Sequence, residues 1–161
     1  MKELFQFTSQ PELRSPSMVV GWSADAGNLG AKVTDYLIKK LGGETFCEIE
    51  PEEFFSLGGV TIENDLVQFP ESKFYAWPLS DLVVLISTPP DHEVYKCLNL
   101  ILDIAQNHCH LTVVYTVGGM ISPGSHTAPR QFFGTLNSLE LKRALSPYGL
   151  TREVNYESPP G

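Results

Sequence analysis

Residues 21–30 read Gly-Trp-Ser-Ala-Asp-Ala-Gly-Asn-Leu-Gly, setting a hydroxyl (Ser23), a carboxylate (Asp25) and a side-chain amide (Asn28) among glycines. Backbone amides of Gly27, Asn28 and Gly30, unobstructed by bulky side chains, can cradle a phosphate or carboxylate at a helix start, with Ser23 alongside. Asp25 opposes that use, because a carboxylate at the mouth repels an anion. The spacing also completes neither the dinucleotide nor the P-loop fingerprint. The structural alternative is a tight strand-to-helix turn with Asp25 or Asn28 as its cap. Gly21-Trp22-Ser23-Ala24-Asp25 approaches the Gly-x-Ser-x-Gly nucleophile elbow, but Asp25 stands where the second glycine is needed. No later His–Asp pair identifies a triad, so no catalytic residue is assigned. A second glycine pair, Gly118-Gly119, follows an apolar run and is the other candidate for ligand contact.

His108-Cys109-His110 has soft-metal chemistry, yet neighbouring helical residues diverge and no second cluster supplies further ligands. It reads as a helix end with one buried thiol and two exposed imidazoles, and no metal or other cofactor is expected. His126 with Arg130 offers only a weak anion contact, and His92 beside Asp91 reads as surface. Glu50, Glu52 and Glu53 read as a solvated, acidic helix start. Phe74, Tyr75 and Trp77, with Phe132 and Phe133, are candidate interface anchors, and core packing is the equal alternative.

These residues need elements to hold them. Met18-Val19-Val20 reads as a buried strand, and Leu29, Val33, Leu37 and Leu41 recur at spacing four, which predicts a helix over 27–41 ending at Gly42-Gly43. Strand, glycine turn and helix open a βαβ unit, where α/β folds place ligands. A second strand is expected at 45–49 and a helical turn at 50–55. Three short runs, 60–62, 66–69 and 73–77, read as an inserted antiparallel meander. Residues 81–86 read as a central parallel strand. Ser87 or Thr88 is expected to cap a long helix with Pro89-Pro90 in its opening turn and Val94, Cys97, Leu98, Ile101, Leu102 and Ala105 facing inward. A buried strand at 111–117, a loop at 120–129, a strand at 130–136, a short helix capped by Asn137 and a last strand at 150–156 complete the layout. The lead-in over 9–17, with Pro11 and Pro16, reads as loop.

The chain has 161 residues, which suits one domain over 1–161, with 42% hydrophobic and 19% charged residues. Its formal charge of -8 leaves no basic stripe for nucleic acid. No apolar run reaches the roughly 18 residues of a membrane-spanning helix. Three cysteines, an odd number, suit reduced thiols in a cytoplasmic protein.

The 21–30 segment, flanked by its strand and helix, closely resembles the first motif of the proteasome assembly chaperone family, second-subunit type, which has archaeal and bacterial relatives. Glu48-Ile49 followed by Glu53-Phe54-Phe55, and the strand end Thr116-Val117-Gly118-Gly119, agree with it. Tyr156-Glu157-Ser158-Pro159-Pro160-Gly161 is similar to the family's Tyr-x-Gly-Pro-x-Gly turn, with Ser158 at a position where glycine is common. The similarity covers about 18–161. It implies a three-layer αβα sandwich like that of the purine nucleoside phosphorylases, with a mostly parallel mixed sheet, used for protein–protein assembly. It further implies a protein partner such as proteasome α-subunits, and a homo-oligomer. In the family that turn leads into another helix and strand, so the chain is expected to be incomplete at its C-terminus. Some members end in a hydrophobic-Tyr-any tripeptide that docks into α-subunit pockets; Pro159-Pro160-Gly161 does not supply it. The alternative is a phosphorylase-like or ligase-associated enzyme holding a small anionic ligand. That alternative requires both glycine sites to open into one pocket, and a turn closed by Asp25 argues against it.

Overall fold

A computed structural model describes residues 4–56, 60–121, 125, 127, 129 and 132–150. The chain forms two compact units, Met1–Ile121 and Ser122–Gly161.

The first unit is built on a six-stranded mixed sheet. Its strands are β1 (Phe5–Phe7), β2 (Ser17–Trp22), β3 (Glu44–Ile49), β6 (Ser72–Trp77), β7 (Leu82–Ser87) and β8 (Val113–Val117), in the order β1-β3-β6-β7-β2-β8. A separate hairpin pairs β4 (Thr61–Glu63) with β5 (Leu66–Gln68). The parallel half is β7-β2-β8, and the β1-β3, β3-β6 and β6-β7 pairings are antiparallel. The sheet is therefore mixed as expected, but three of its five pairings are antiparallel. The reason lies in the inserted segment. Only 61–63 and 66–68 form the free-standing hairpin; 72–77, expected to be the third strand of a meander, enters the main sheet between β3 and β7.

Alternation along the strands divides the core between two faces. Met18 and Val20 of β2, Phe74 of β6 and Val83 and Leu85 of β7 lie in one buried cluster with Cys97, Ile101, Ile104 and Ala105. The last four come from α2 (Val94–Asp103) and the π-helical turn that extends it through His108. On the opposite face, Gly21 of β2 meets Thr34 of α1 (Leu29–Leu41). Helix, sheet and helix thus make three layers. A bulge between Thr45 and Cys47 lets adjacent Phe46 and Cys47 both be buried. Phe46 then stacks with Phe7 and meets Phe74 edge-on.

Several expectations are corrected. α1 begins at Leu29 after a 3₁₀ turn over Ala26–Asn28 and ends, as expected, on left-handed Gly42. Its sheet-facing row is Gly30 and Thr34; Leu29 and Leu41 are exposed. Ser87 and the prolines do not open α2. Ser87 stays in β7, and the helix starts at Val94 behind left-handed Glu93. Val94, Leu98 and Leu102 are exposed, because the buried stripe turns toward Cys97, Ile101, Ile104 and Ala105. β8 is the sheet's edge among the described strands, and it is largely exposed where a buried strand was expected.

One polar pair interrupts this apolar interior. Ser72 and Ser87 face each other in the β6-β7 register, both buried, with Oγ atoms 2.6 Å apart. Ser87 Oγ donates to the Thr88 carbonyl at 2.8 Å, so the Ser72 hydroxyl donates to Ser87.

In the second unit, α3 (Leu139–Leu145) is capped by Ser138, one residue beyond the expected Asn137, with Ser138 Oγ accepting from the Leu141 amide at 3.1 Å. Residues 132–136 are not in a strand. Half of the 120–129 loop, His126 included, and residues 130, 131 and 151–161 lie outside the described residues, and with them Arg130 and all but the first residue of the expected last strand.

Candidate functional site: a carboxylate between two glycine segments

The two glycine segments meet. β2 pairs with β8 through Gly21 and Val117, so the chain leaving β2 toward α1 runs beside the chain leaving β8. Asp25, just beyond β2, directs its Oδ2 at both. That oxygen accepts the Gly30 amide at 2.9 Å and also the Gly119 amide, 94 residues away in sequence. The Asp25 carbonyl accepts the Asn28 amide at 3.0 Å, closing the 3₁₀ turn, in which Gly27 (φ 77°) and Asn28 (φ 52°) are both left-handed. Glycine suits the first position because a side chain there is strained.

Close approach explains Gly30 and Gly119. A Cβ on Gly30 would lie 2.8 Å from the Val117 carbonyl oxygen, and one on Gly119 would overlap the Ala26 carbonyl. Each glycine lets one backbone segment seat against the other. Gly118 differs: a Cβ there would sit 3.4 Å from Asp25 Oδ2, in ordinary contact. Burial pushes the Asp25 carboxyl up, but the amides of Gly30, Gly119 and Leu29 outweigh it and hold the group below its ordinary value. Asp25 Oδ1 is buried with no hydrogen-bond partner among the described residues.

The chemical consequence is direct. Of the amides that could cradle an external anion, that of Gly30 already donates to the Asp25 carboxylate and that of Asn28 to the Asp25 carbonyl, at the positive end of α1. A phosphate arriving there would have to displace Asp25 against like charge. Ser23 lies on the same turn, half-buried, its amide donating to the Ser87 carbonyl at 3.0 Å. The structure therefore brings Asp25, Gly27, Asn28, Gly30, Gly118 and Gly119 together, with Asp25 Oδ2 bridging the Gly30 and Gly119 amides.

The aromatic candidates separate. Phe74 is wholly buried and Trp77 is 6% exposed, lying over Gly43, so both are core residues of the first unit. Tyr75 is half-buried, whereas Phe132 (74%) and Phe133 (38%) are exposed. Cys109 is buried and His108 and His110 are exposed, with His108 against the rings of Phe5 and Phe7. No group of three or more His, Cys, Asp or Glu that could hold a metal occurs among the described residues.

Sequence reasoning missed the apolar face of the hairpin. Ile62 and Val67 pair across its strands, and Phe69 follows on the Val67 side; all three are exposed. Alternation shows which residues share a face, but not whether anything covers it. Beside that face is a cleft of about 310 Å³ lined by Glu48, Ile49, Val67, Phe69, Glu71 and Lys73 among others. Lys73 is held to Glu71 at 2.6 Å, which raises its pKa, with Glu48 adding to the effect.

Three layers, a mixed sheet and a glycine turn held by its own carboxylate define a three-layer α/β scaffold. The sequence profile of the PAC2 family matches residues 18–160, and the chain belongs to that family. Its fold is similar to that of the Mycobacterium tuberculosis proteasome-assembly chaperone homologue Rv2125, at 20% identity and a TM-score of 0.73, over 90% of this chain and 65% of that one. A PAC2 family protein from Streptomyces avermitilis is similar at 19% identity and a TM-score of 0.74, over 91% of this chain and 66% of that one. Pyrococcus furiosus PbaB, an archaeal proteasome activator, shares 23% identity at a TM-score of 0.64, over 78% and 55%. The chain thus spans about two thirds or less of these proteins' lengths. No curated protein sequence matches it.

Proposed function

We propose that this chain is a non-enzymatic protein-interaction domain of the assembly-chaperone type, acting in the cytoplasm, self-associating and binding proteasome α-subunits. The observation that carries the reading is Asp25. A carboxylate built into the glycine turn makes the site a structural joint between the ends of β2 and β8, leaving the molecule's surface to do the work. Family membership supports an assembly role, and the similar structures include a proteasome-assembly chaperone homologue and a proteasome activator. The exposed Phe132 and Phe133 are the aromatic anchors this reading uses. The three buried free thiols suit a reducing compartment.

The test is surface plasmon resonance of the immobilised chain against purified α-subunits of its own organism, with inorganic phosphate titrated in parallel by calorimetry. Saturable α-subunit binding with no phosphate heat is expected. Phosphate binding that disappears when Gly30 is replaced by alanine, with no protein binding, would overturn the reading in favour of the enzyme alternative.

A further inference from the structure

The hairpin of β4 and β5 is specified locally and presents an apolar face to solvent. Its turn residues Asn64 (φ 51°) and Asp65 (φ 63°) are both left-handed, the geometry of a two-residue turn that suits the twist of paired strands. Ile62 and Val67 face each other across the pair, and Phe69 continues their side; they are 75%, 53% and 67% exposed. A two-stranded hairpin is marginal in water and gains stability when its apolar face is packed. Contiguous exposed apolar groups rimmed by charge mark interaction sites. The hairpin face runs into the neighbouring cleft, because Val67 and Phe69 line that cleft together with Ile49 and Pro51. At about 310 Å³ the cleft lies at the small end of ligand sites, roughly 300–1,000 Å³, and has room for one long side chain.

Charge then selects the occupant. Between Lys40 and Lys73 the sequence holds eight Asp and Glu and no Lys, Arg or His, so this stretch alone carries as much negative charge as the whole chain, -8. The hairpin lies inside it. At the cleft two carboxylates share one ammonium: Glu48 stands opposite Lys73 in the β3-β6 register, and Glu71 holds Lys73 at 2.6 Å. A further cation balances that site, whereas an anion is repelled. A second copy of the chain brings the same acidic stretch and is repelled too, as is the phosphate backbone of a nucleic acid. Complementary charge across an interface selects the partner, and apolar contact beside it supplies affinity. A segment with Arg or Lys next to a large apolar side chain meets both demands.

We propose that the hairpin face and its cleft form a docking surface for a positively charged segment of a partner protein. An Arg or Lys of that segment enters the cleft beside Glu48 and Glu71, and a neighbouring apolar side chain packs on Ile62, Val67 and Phe69. The proposal rests on the protein-interaction reading above and adds to it a surface and the chemistry of the partner segment.

Fluorescence polarisation with labelled peptides tests it, far-UV circular dichroism reporting the fold of each variant. The probe is a peptide of Leu-Arg-Gly repeats, with counterparts carrying Lys, Ser or Glu at the Arg position. Saturable binding of the Arg and Lys peptides is expected, with weaker binding of the Ser peptide and none of the Glu peptide. Glu48→Lys and Phe69→Ser are each expected to weaken the Arg peptide by roughly tenfold or more with an unchanged spectrum. Glu12→Lys makes the same charge change at another exposed position and is expected to have little effect. A Glu12→Lys loss as large as that of Glu48→Lys would overturn the surface in favour of diffuse attraction to an acidic protein. Equal binding of the Arg, Ser and Glu peptides would overturn the charge selection. Sedimentation velocity covers the remaining occupant: a wild-type oligomer that Phe69→Ser dissociates would show a second copy on this face and overturn the proposal. Absence of binding by every peptide, with α-subunits still binding in their own assay, would remove this surface and leave the interaction reading standing.

Discussion

Replacing Gly119 by alanine tests the joint between β2 and β8 more sharply than removing the carboxylate, because the neighbouring glycine is an internal control. A Cβ on Gly119 would overlap the Ala26 carbonyl oxygen, lie 3.0 Å from the Ala26 carbonyl carbon and 3.2 Å from Leu29 Cβ. Two of those three atoms are backbone, so relief requires the turn to move, and the movement pulls the Gly119 amide off Asp25. Forcing a methyl group into such a contact costs roughly 1–3 kcal/mol, and more where backbone must shift. Gly118→Ala meets only Asp25 Oδ2 at 3.4 Å and the Asp25 Cβ at 4.0 Å. It should be close to neutral, or stabilising by up to about 1 kcal/mol through the lost freedom of the unfolded chain. For a protein of this size 1 kcal/mol moves the melting temperature by about 2–4 °C. Gly119→Ala is therefore expected to melt roughly 4–12 °C below wild type, given a cost of about 2–3 kcal/mol, and Gly118→Ala within a few degrees of it. Differential scanning calorimetry of the three proteins at pH 7 is the assay. Equal melting temperatures for the two variants would refute the packed joint and reopen the turn as a ligand site.

Other consequences follow from named groups. The Asp25 carboxyl is held below its ordinary value of 3.8, so its contribution to stability is full above that pH and is lost as pH falls through the folded-state value. Urea titrations between pH 7 and pH 2 should show Asp25→Asn losing less stability than wild type in the acid limb; parallel curves would contradict the charged clamp. Burial pushes the Cys47 thiol up to about 12 and the Cys109 thiol to about 11, and raises that of Cys97. At pH 8 a disulfide reagent should therefore label none of these three until denaturant is added, and rapid labelling of the native protein would refute the packing. Phe74→Ala, in the centre of the core, should cost about 3–5 kcal/mol in equilibrium unfolding, whereas Phe132→Ala, at the surface, should stay within about 0.5 kcal/mol. A comparable loss from both would contradict their assigned burial.

What was legible in the sequence followed from local chemistry. Gly42 past an apolar repeat marked the end of α1, and a glycine-rich run after Met18-Val19-Val20 marked the turn, because backbone conformation there is decided within a few residues. Asp25 could be recognised as an obstacle to anions, but its second partner lies 94 residues on, a contact that only the β2-β8 pairing creates. The same limit hid the place of β6. Its alternation reads identically in a meander and in a central sheet, and long-range pairing decides between them. β8 misled for a related reason: an apolar run resembles a central strand whether it has two neighbours or, as β8 has among the described strands, one. At α2, Pro89-Pro90 were good signals for a helix start, but Ser87 was already committed to β7 opposite Ser72, which pushed the helix to Val94.

That serine pair carries a consequence for how the chain finds its fold. Apolar partners such as Phe74 with Leu85 and Ala76 with Val83 constrain the alignment less, since a shift of two residues sets Phe74 opposite Val83 in one direction and Ala76 opposite Leu85 in the other. Ser72 and Ser87 do not tolerate such a shift. A shifted β6 would bury two hydroxyls away from each other, at roughly 1–3 kcal/mol for each group left without a partner. The pair thus acts as a key that admits one alignment of β6 on β7. Because β6 and β7 join the antiparallel half of the sheet to the parallel half, that single alignment fixes how the two halves are matched.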